Sequence, residues 1–407
     1  MKPKTLSARF PRPRIGVDMH TVDGKHQGIR THVLELFSRA IELGEDFQFV
    51  FFLDDPEKLR AHAPFRAANV EIARMPHQSP PVRLLKQLPS LARRYQLDLL
   101  HTQLIAPPFS SCPTAITVHD TLFESHPQFF SKLFALRCKV LVRRGARQSS
   151  LVCTVSDFSA AEIERYYGVP SEHIITTANG VNLSRFALSL GRSEEFDRLN
   201  LAPQSYLLTV GRLEPRKNHL ALLNSFANLP QPRPKLVIVG QKDFGFEPIY
   251  ETIRAKNLQD DVLILNSVTD ELLPALYRNA LAFVFPSWAE GFGMPLLEAM
   301  ASGVPVITSS TTALAEVASG AALMINPADP DSITQAMQSV LSQPELRAKL
   351  VETGLDRARQ YSWDSSAAKL LSSYRKLFGI TAHQPDRAPT PSRESSSSGP
   401  PDHPIPE

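Results

Sequence analysis

The chain has 407 residues, 43% of them hydrophobic and 21% charged, with a formal net charge of +3. That length suggests roughly two or three domains, and the small basic excess falls far short of the clustered charge with which nucleic-acid binders displace counterions. No run reaches the roughly 18 apolar residues of a membrane helix, and the basic start MKPKTLSARFPRPR lacks the apolar stretch of a secretory signal. Cys112, Cys138 and Cys153 are too widely spaced for a zinc or redox pair. These features predict a cytoplasmic protein with idle thiols and no nucleic-acid partner.

Short apolar runs alternate with stretches of helical periodicity, the pattern of βα units on parallel sheets. After a start at 1–13 read as flexible, strands are predicted at RIGVD (14–18), FQFVFFL (47–53), VEIAR (70–74), DLLHT (98–102), AITVH (115–119), LVCTVS (151–156) and IITTA (174–178). A polar stretch at 188–204 interrupts the series, and the linker is set at 191–204. A second series follows at YLLTVG (206–211), KLVIVG (235–240), VLIL (262–265), LAFVFP (281–286) and VPVIT (304–308). The α/β expectation is therefore two doubly wound, Rossmann-like lobes, 14–190 and 205–362, with a ligand cleft beside the C-terminal ends of their strands. A last helix spans 363–380. The segment 381–407 holds seven prolines and five serines and no apolar face, so it reads as a disordered tail.

The stretch SWAEGFGMPLLEAMASGVPVI (287–307) carries two glutamates eight apart. LAFVFP delivers the loop SWAEGFGM, Pro295 suits a first helical turn, and Gly303 ends the helix. Gly291 and Gly293 let the backbone approach a ligand, and the helix start offers free N–H groups and a positive dipole end to a diphosphate. Glu290 and Glu298 would then accept hydrogen bonds from paired hydroxyls of a ribose or hexose. The plainer reading makes Glu290 an ordinary loop residue and Glu298 a first-turn glutamate favoured by the dipole.

These residues, E290-G-F-G-x-P-x-x-E298, resemble the E-x7-E motif of the GT4 family of retaining glycosyltransferases, which adopt the two-lobed GT-B fold. VGRLEPRKNH (210–219) resembles that family's G-R-x4-K-N loop, and TVHDTLF (117–123) its His-Asp segment. TVSDFSAAEI and ANGVN resemble two further N-lobe signatures, and the likeness runs from about Arg14 to Phe378. It implies that Arg212 and Lys217 grip the donor diphosphate, where fixed cations stabilise the charge of a departing nucleotide without a metal. Alone, an Arg and a Lys five apart in a polar loop are most often solvated. It also implies that Glu298 meets the ribose, that Glu290 and His119, with Asp120 beside it, meet the donor sugar, and that Gly291, Phe292 and Gly293 contribute backbone contacts. Without the family, a lone histidine there is more often a structural residue. The last helix should cross back onto the N-lobe.

Two segments depart from the pattern. HTVDGKHQGIR has the single Gly28, followed by Ile29 and Arg30, where relatives often carry a glycine pair near the diphosphate. ILNSVTDEL places Asn266 and Ser267 where a glycine is more usual, although Val268 stands where relatives hold the base. The only D-x-D, Asp329-Pro330-Asp331, reads as a helix cap rather than a metal site. PQFFSKLFALRCKVLVRRGARQ (127–148) mixes apolar residues with Arg137, Lys139, Arg143, Arg144 and Arg147. It suits either a helix resting on anionic lipid or, more commonly, one half-buried in a core.

The combined expectation is a metal-independent, cofactor-free retaining hexosyltransferase. Its partners are a nucleotide-sugar donor and a glycan or lipid-linked oligosaccharide acceptor, with peripheral membrane contact at the inner face as an open reading. Mannose from GDP-mannose is the first choice, since TVHDTLFESHPQFF most resembles the mannosyltransferase branch. Alternatives are a UDP-sugar-dependent glucosyl, galactosyl or N-acetylglucosaminyl transferase, an epimerase or phosphorylase on the same fold, and a non-catalytic nucleotide-sugar binder.

Overall fold

The computed structural model describes residues 6–24, 28–186 and 194–380. The tail at 381–407, the first five residues and positions 191–193 of the expected linker lie outside them.

Seven parallel strands form the first sheet in the order β3-β2-β1-β4-β5-β6-β7. They are β1 Arg14–Asp18, β2 Gln48–Leu53, β3 Val70–Arg74, β4 Leu99–Gln103, β5 Thr114–Thr117, β6 Leu151–Thr154 and β7 Ile174–Thr176. The second sheet has the order β10-β9-β8-β11-β12-β13, from β8 Tyr206–Val210, β9 Lys235–Val239, β10 Val262–Leu265, β11 Ala282–Phe285, β12 Val306–Ser309 and β13 Leu323–Ile325. Unbroken apolar runs such as FVFFL in β2 and AFVF in β11 are buried along their length, as strands covered by helices on both faces must be. Each sheet reverses its winding once, between β1 and β4 and between β8 and β11, and loops leaving those strand ends open into the crevice where α/β folds take ligands.

Three expectations change. Strand β13, LMI, was missed: three residues at a sheet edge, two half-buried and one buried, carry too little periodicity to be seen in sequence. Residues 6–13 do not hang free, because Leu6 N–H donates to the Leu377 carbonyl and Arg9 N–H to Asp98. Within the expected linker, a helical turn Glu194–Asp197 plants Phe196 in the core of the second lobe. Phe186, read as part of the first lobe, packs there too, against Tyr277.

The helix Trp363–Phe378 returns to the first lobe, as the resemblance implied. Its Trp363, Leu370, Leu371, Tyr374 and Phe378 join the core formed by the helix Gly28–Leu43 and β1, β2 and β4. Direct bonds also join the lobes. Ser156 Oγ donates to the Gly291 carbonyl at 2.7 Å, and the Glu316 carboxylate caps the helix Asp157–Tyr167 by accepting from Asp157 N (3.0 Å) and Phe158 N (2.7 Å). A carboxylate at that positive helix end is favoured by the dipole.

Candidate active site

Loops from β8 and β11, neighbours at the switch point of the second sheet, bring Arg212–Lys217 against Trp288–Gly293. Glu290 is buried between two cations: Lys217 Nζ lies 2.7 Å from Oε1 and Arg216 Nη1 2.8 Å from Oε2. Burial alone pushes the Glu290 pKa up, but Arg216 and Lys217 outweigh it and hold the carboxyl at about 2, so it is ionised at neutral pH. The loop is fixed independently, since Trp288 N–H donates to the Arg216 carbonyl, Arg216 Nη1 to the Ala289 carbonyl and Glu290 N–H to Thr312 Oγ1. Lys217 Nζ also lies 4.9 Å from the centre of the Phe285 ring, a cation–π contact.

Arg216 was missed by sequence reasoning, which took only Arg212 and Lys217 from the motif. It bridges Glu290 and Glu214 (2.6 Å); burial alone would lower its pKa, but the charges of Glu290 and Glu214 outweigh it and keep it firmly protonated. The available signal was EPRK, two adjacent cations two residues after an acid. Arg212 is the most exposed of the three and pairs with Asp243 and Glu214. Three cations therefore face three carboxylates. Arg212, held by half-exposed Asp243, is the one best placed to turn to a new anion.

Gly291 marks the closest approach of the lobes. A Cβ there would lie 2.6 Å from both Asp120 Cβ and the His119 carbonyl oxygen, so only glycine fits. Gly293, at φ +101°, precedes the helix Met294–Ala301, which ends before Gly303 in the left-handed region at φ +66°. Glu298 lies one turn in and accepts from Tyr277 Oη at 2.9 Å; burial raises its pKa, partly offset by that bond.

His119 follows β5, with Nε2 3.1 Å from Gln103 Oε1 and its ring edge-on to His32 at 4.8 Å. Burial, reinforced by His32 and His101, drops its pKa well below 6.5, so the ring is neutral at pH 7. With Nε2–H donating to Gln103, Nδ1 is left as an acceptor. Burial raises the Asp120 pKa, although its carboxylate accepts the Leu122 N–H at 3.0 Å.

One cleft of about 450 Å³ is lined by Gly28, His119, Asp120, Arg212, Lys217, Glu290, Gly291, Phe292, Gly293 and Glu298, and also by Arg216, Asn179 and Leu273. Of the predicted positions, Val268 alone is not among its lining residues: it is half-buried on the core of the second lobe. Among the described residues no three His, Cys, Asp or Glu side chains converge as a metal site requires. Asp329 caps its helix, accepting the Asp331 N–H at 3.0 Å.

Two family profiles match the chain in the order of its lobes: "Glycosyltransferase Family 4" over residues 26–185 and "Glycosyl transferases group 1" over 192–357. O-antigen chain mannosyltransferase B of Escherichia coli is 32% identical over 265 residues, 64% of this chain and 70% of that protein. O-antigen chain mannosyltransferase RfbU of Salmonella typhimurium is 31% identical over 230 residues, 56% of this chain and 61% of that one. Against the serotype-specific mannosyltransferase WbdA of E. coli, at 29% identity, the match spans only 29% of the relative. In fold, sucrose-phosphate synthase from Thermosynechococcus elongatus superposes with TM-score 0.74 at 22% identity, covering 91% of this chain and all of that one. Anabaena HepE, solved with UDP and glucose, superposes with TM-score 0.72 at 17% identity, over 90% of this chain and all of that one. Those neighbours share the GT-B architecture. With both lobes matched in order and a relative 32% identical over 70% of its length, the chain belongs to family 4 of the glycosyltransferases.

Proposed function

We propose that the chain transfers a mannosyl residue from GDP-mannose to a glycan or lipid-linked oligosaccharide, with retention of anomeric configuration and without a metal. The observation that carries the reading is the convergence of Arg212, Arg216 and Lys217 on one cleft beside the start of the helix Met294–Ala301. Cations at one cleft wall and a helix N-terminus suit a diphosphate whose charge grows as the sugar leaves. The mannose assignment is supported by the printed activities of the E. coli and Salmonella relatives.

In this reading Arg212 and Lys217 hold the diphosphate, Arg216 fixes Glu290, Glu298 binds the ribose, and Glu290 with His119 orients the sugar. The bond from the anomeric carbon to phosphate breaks while the acceptor oxygen bonds to the same face. A phosphate oxygen of the departing GDP takes the acceptor proton. His119 enters as a neutral hydrogen-bond partner at Nδ1. The test is turnover with EDTA of GDP-mannose, UDP-glucose and UDP-galactose against a mannoside acceptor. Selective use of GDP-mannose with retained configuration is the expected outcome. Preference for a UDP-sugar would replace the donor, and no turnover of any would overturn the catalytic reading.

A second observation favours peripheral membrane contact. The helix Lys132–Gln148 exposes Leu133 (78%), Leu136 (61%) and Val140 (59%) in one stripe. Lys139, Arg143, Arg144 and Arg147 line an adjoining surface cavity of about 480 Å³. Apolar side chains flanked by cations suit anionic lipid. Flotation with anionic and with neutral vesicles tests this reading: salt-sensitive binding to anionic vesicles only, abolished by Leu136→Asp, is expected. Absence of flotation would remove it. Among the described residues no helix is long and apolar enough to cross a membrane.

A further inference from the structure

The helix Thr312–Ala318 lends no residue to the cleft wall, yet it is fastened to the cleft at one end and to the other lobe one turn later. Its start holds the loop that carries Glu290. Glu290 N–H donates to Thr312 Oγ1 at 3.1 Å, Ala313 N–H reaches the Glu290 carbonyl at 3.4 Å, and Thr311 Oγ1 donates to the Trp288 carbonyl at 3.1 Å. Leu314 lies against Gly293, since a Cβ on that glycine would come within 2.6 Å of Leu314 Cδ2. Both ends of the turn 290–293 therefore rest on this helix.

Thr312 has φ +54°, a left-handed conformation that a β-branched residue rarely adopts. Such residues persist only where the surroundings over-determine them, and they cluster at functional sites. Glycine would enter this region freely but has no side-chain oxygen to offer Glu290. The Thr312 hydroxyl also donates to the Thr311 carbonyl at 2.8 Å, which leaves a lone pair for the Glu290 N–H.

Four positions on, Glu316 projects to the first lobe. Its carboxylate accepts from Asp157 N (3.0 Å) and Phe158 N (2.7 Å) at the start of the helix Asp157–Tyr167. The far end of its own helix is pinned as well: Arg357 donates to the Glu316 carbonyl (2.8 Å), the Val317 carbonyl (2.9 Å) and Tyr361 Oη (2.9 Å). Ala313, Leu314, Val317 and Ala318 are buried. A short helix packed in this way and held at both ends shifts as one piece, so a displacement at Glu316 reaches Thr312.

We infer that Thr312 and Glu316 are positioning residues for the proposed transfer: docking of the first lobe on Glu316 is coupled, through the helix Thr312–Ala318, to the seat of Glu290. The part Glu290 plays in transfer rests on the glycosyltransferase reading, while the coupling rests on the bonds alone. Ser156, which donates to the Gly291 carbonyl, is a separate and direct link between the lobes. Coupling between two sites is reciprocal. Whatever frees Glu290 from Thr312 also loosens the cap on the helix Asp157–Tyr167.

Amide hydrogen exchange on the full chain, read by mass spectrometry in peptides covering 156–159 and 288–291 with no substrate added, tests this coupling. Glu316→Ala should speed exchange in both peptides by roughly fivefold or more, the scale of a lost hydrogen bond to a charged group. Thr312→Val removes the hydroxyl and alters no group bonded to the first lobe; it too should speed both. Thr312→Ser keeps the hydroxyl and should match the unmodified chain. In 288–291 the double variant should exchange no faster than Thr312→Val alone. Peptides from β2 and β9 should stay unchanged, which separates coupling from general loosening; if Thr312→Val loosens these too, Thr312→Ala takes its place with the same outcomes. Acceleration of 288–291 alone by the Thr312 variant, or of 156–159 alone by Glu316→Ala, would overturn the inference. Turnover is read separately, and Glu316→Ala should lower kcat with GDP-mannose by a similar factor with KM little changed. An unchanged kcat would overturn the positioning role, whereas no turnover by the unmodified chain would strike the donor assignment and leave the exchange result to decide the coupling.

Discussion

Ser156 Oγ donates to the carbonyl of Gly291 at 2.7 Å, and that bond crosses from one lobe to the other beside the residues that line the cleft. The same glycine has no room for a side chain because Asp120 and the His119 backbone stand against it. The contact between the lobes at Gly291 and the placement of His119 are thus set by one close approach.

Gly291→Ala should therefore uncouple transfer from nucleotide binding. Overpacking typically costs about 1–3 kcal/mol, which depresses the closed arrangement by roughly 5- to 150-fold. Transfer should fall by that order, while GDP affinity, set mostly by the second lobe, should hold within a few-fold. Steady-state rates and calorimetry on the same preparation check it. Unchanged transfer would show that the close approach at Gly291 does not serve the reaction.

In the proposed reading Asp243 competes with the donor diphosphate for Arg212. The pair is partly exposed, with side chains 44% and 30% accessible, and such pairs contribute about 0–1 kcal/mol. Asp243→Asn should release Arg212 and tighten GDP binding by up to about fivefold. Weaker binding would mean that Asp243 orients Arg212 rather than occupying it.

Stability should decline with acid well before Glu290 titrates. Burial lowers the pKa of His32 to about 4, of His101 to about 3 and of His219 to about 4, all from 6.5. The unfolded chain takes up these protons first, so the stability present above pH 6.5 is lost as pH falls toward 4 and then 3. Glu290, also lowered, acts later: its contribution is present above 4.5 and is lost toward about 2. Melting temperatures across this range should fall first in the histidine window, and His32→Asn should flatten that fall. A flat profile between about pH 6.5 and 4 would show that these rings are not buried neutral.

Much of this was legible in the chain because parallel strands buried on both faces write themselves as unbroken apolar runs. Twelve of the thirteen strands of the structure stand where such runs were read, and only the edge segment LMI escaped. The pairing of Lys217 with Glu290, 73 residues apart, was not legible from composition or periodicity. It arises because β8 and β11 are neighbours in the sheet, a topological fact that only the family resemblance anticipated. Arg216 was hidden because the motif names its neighbours and because a cation in a polar loop carries no sign of burial.

The central claim is a metal-free diphosphate and ribose site between Arg212, Lys217 and Glu298. Calorimetric binding of GDP, UDP and ADP in EDTA, repeated on Glu298→Gln, tests it most directly. The account predicts that GDP binds most tightly and that Glu298→Gln weakens it by about tenfold or more, as loss of a charged hydrogen-bond acceptor implies. Failure of all three nucleotides to bind would contradict it.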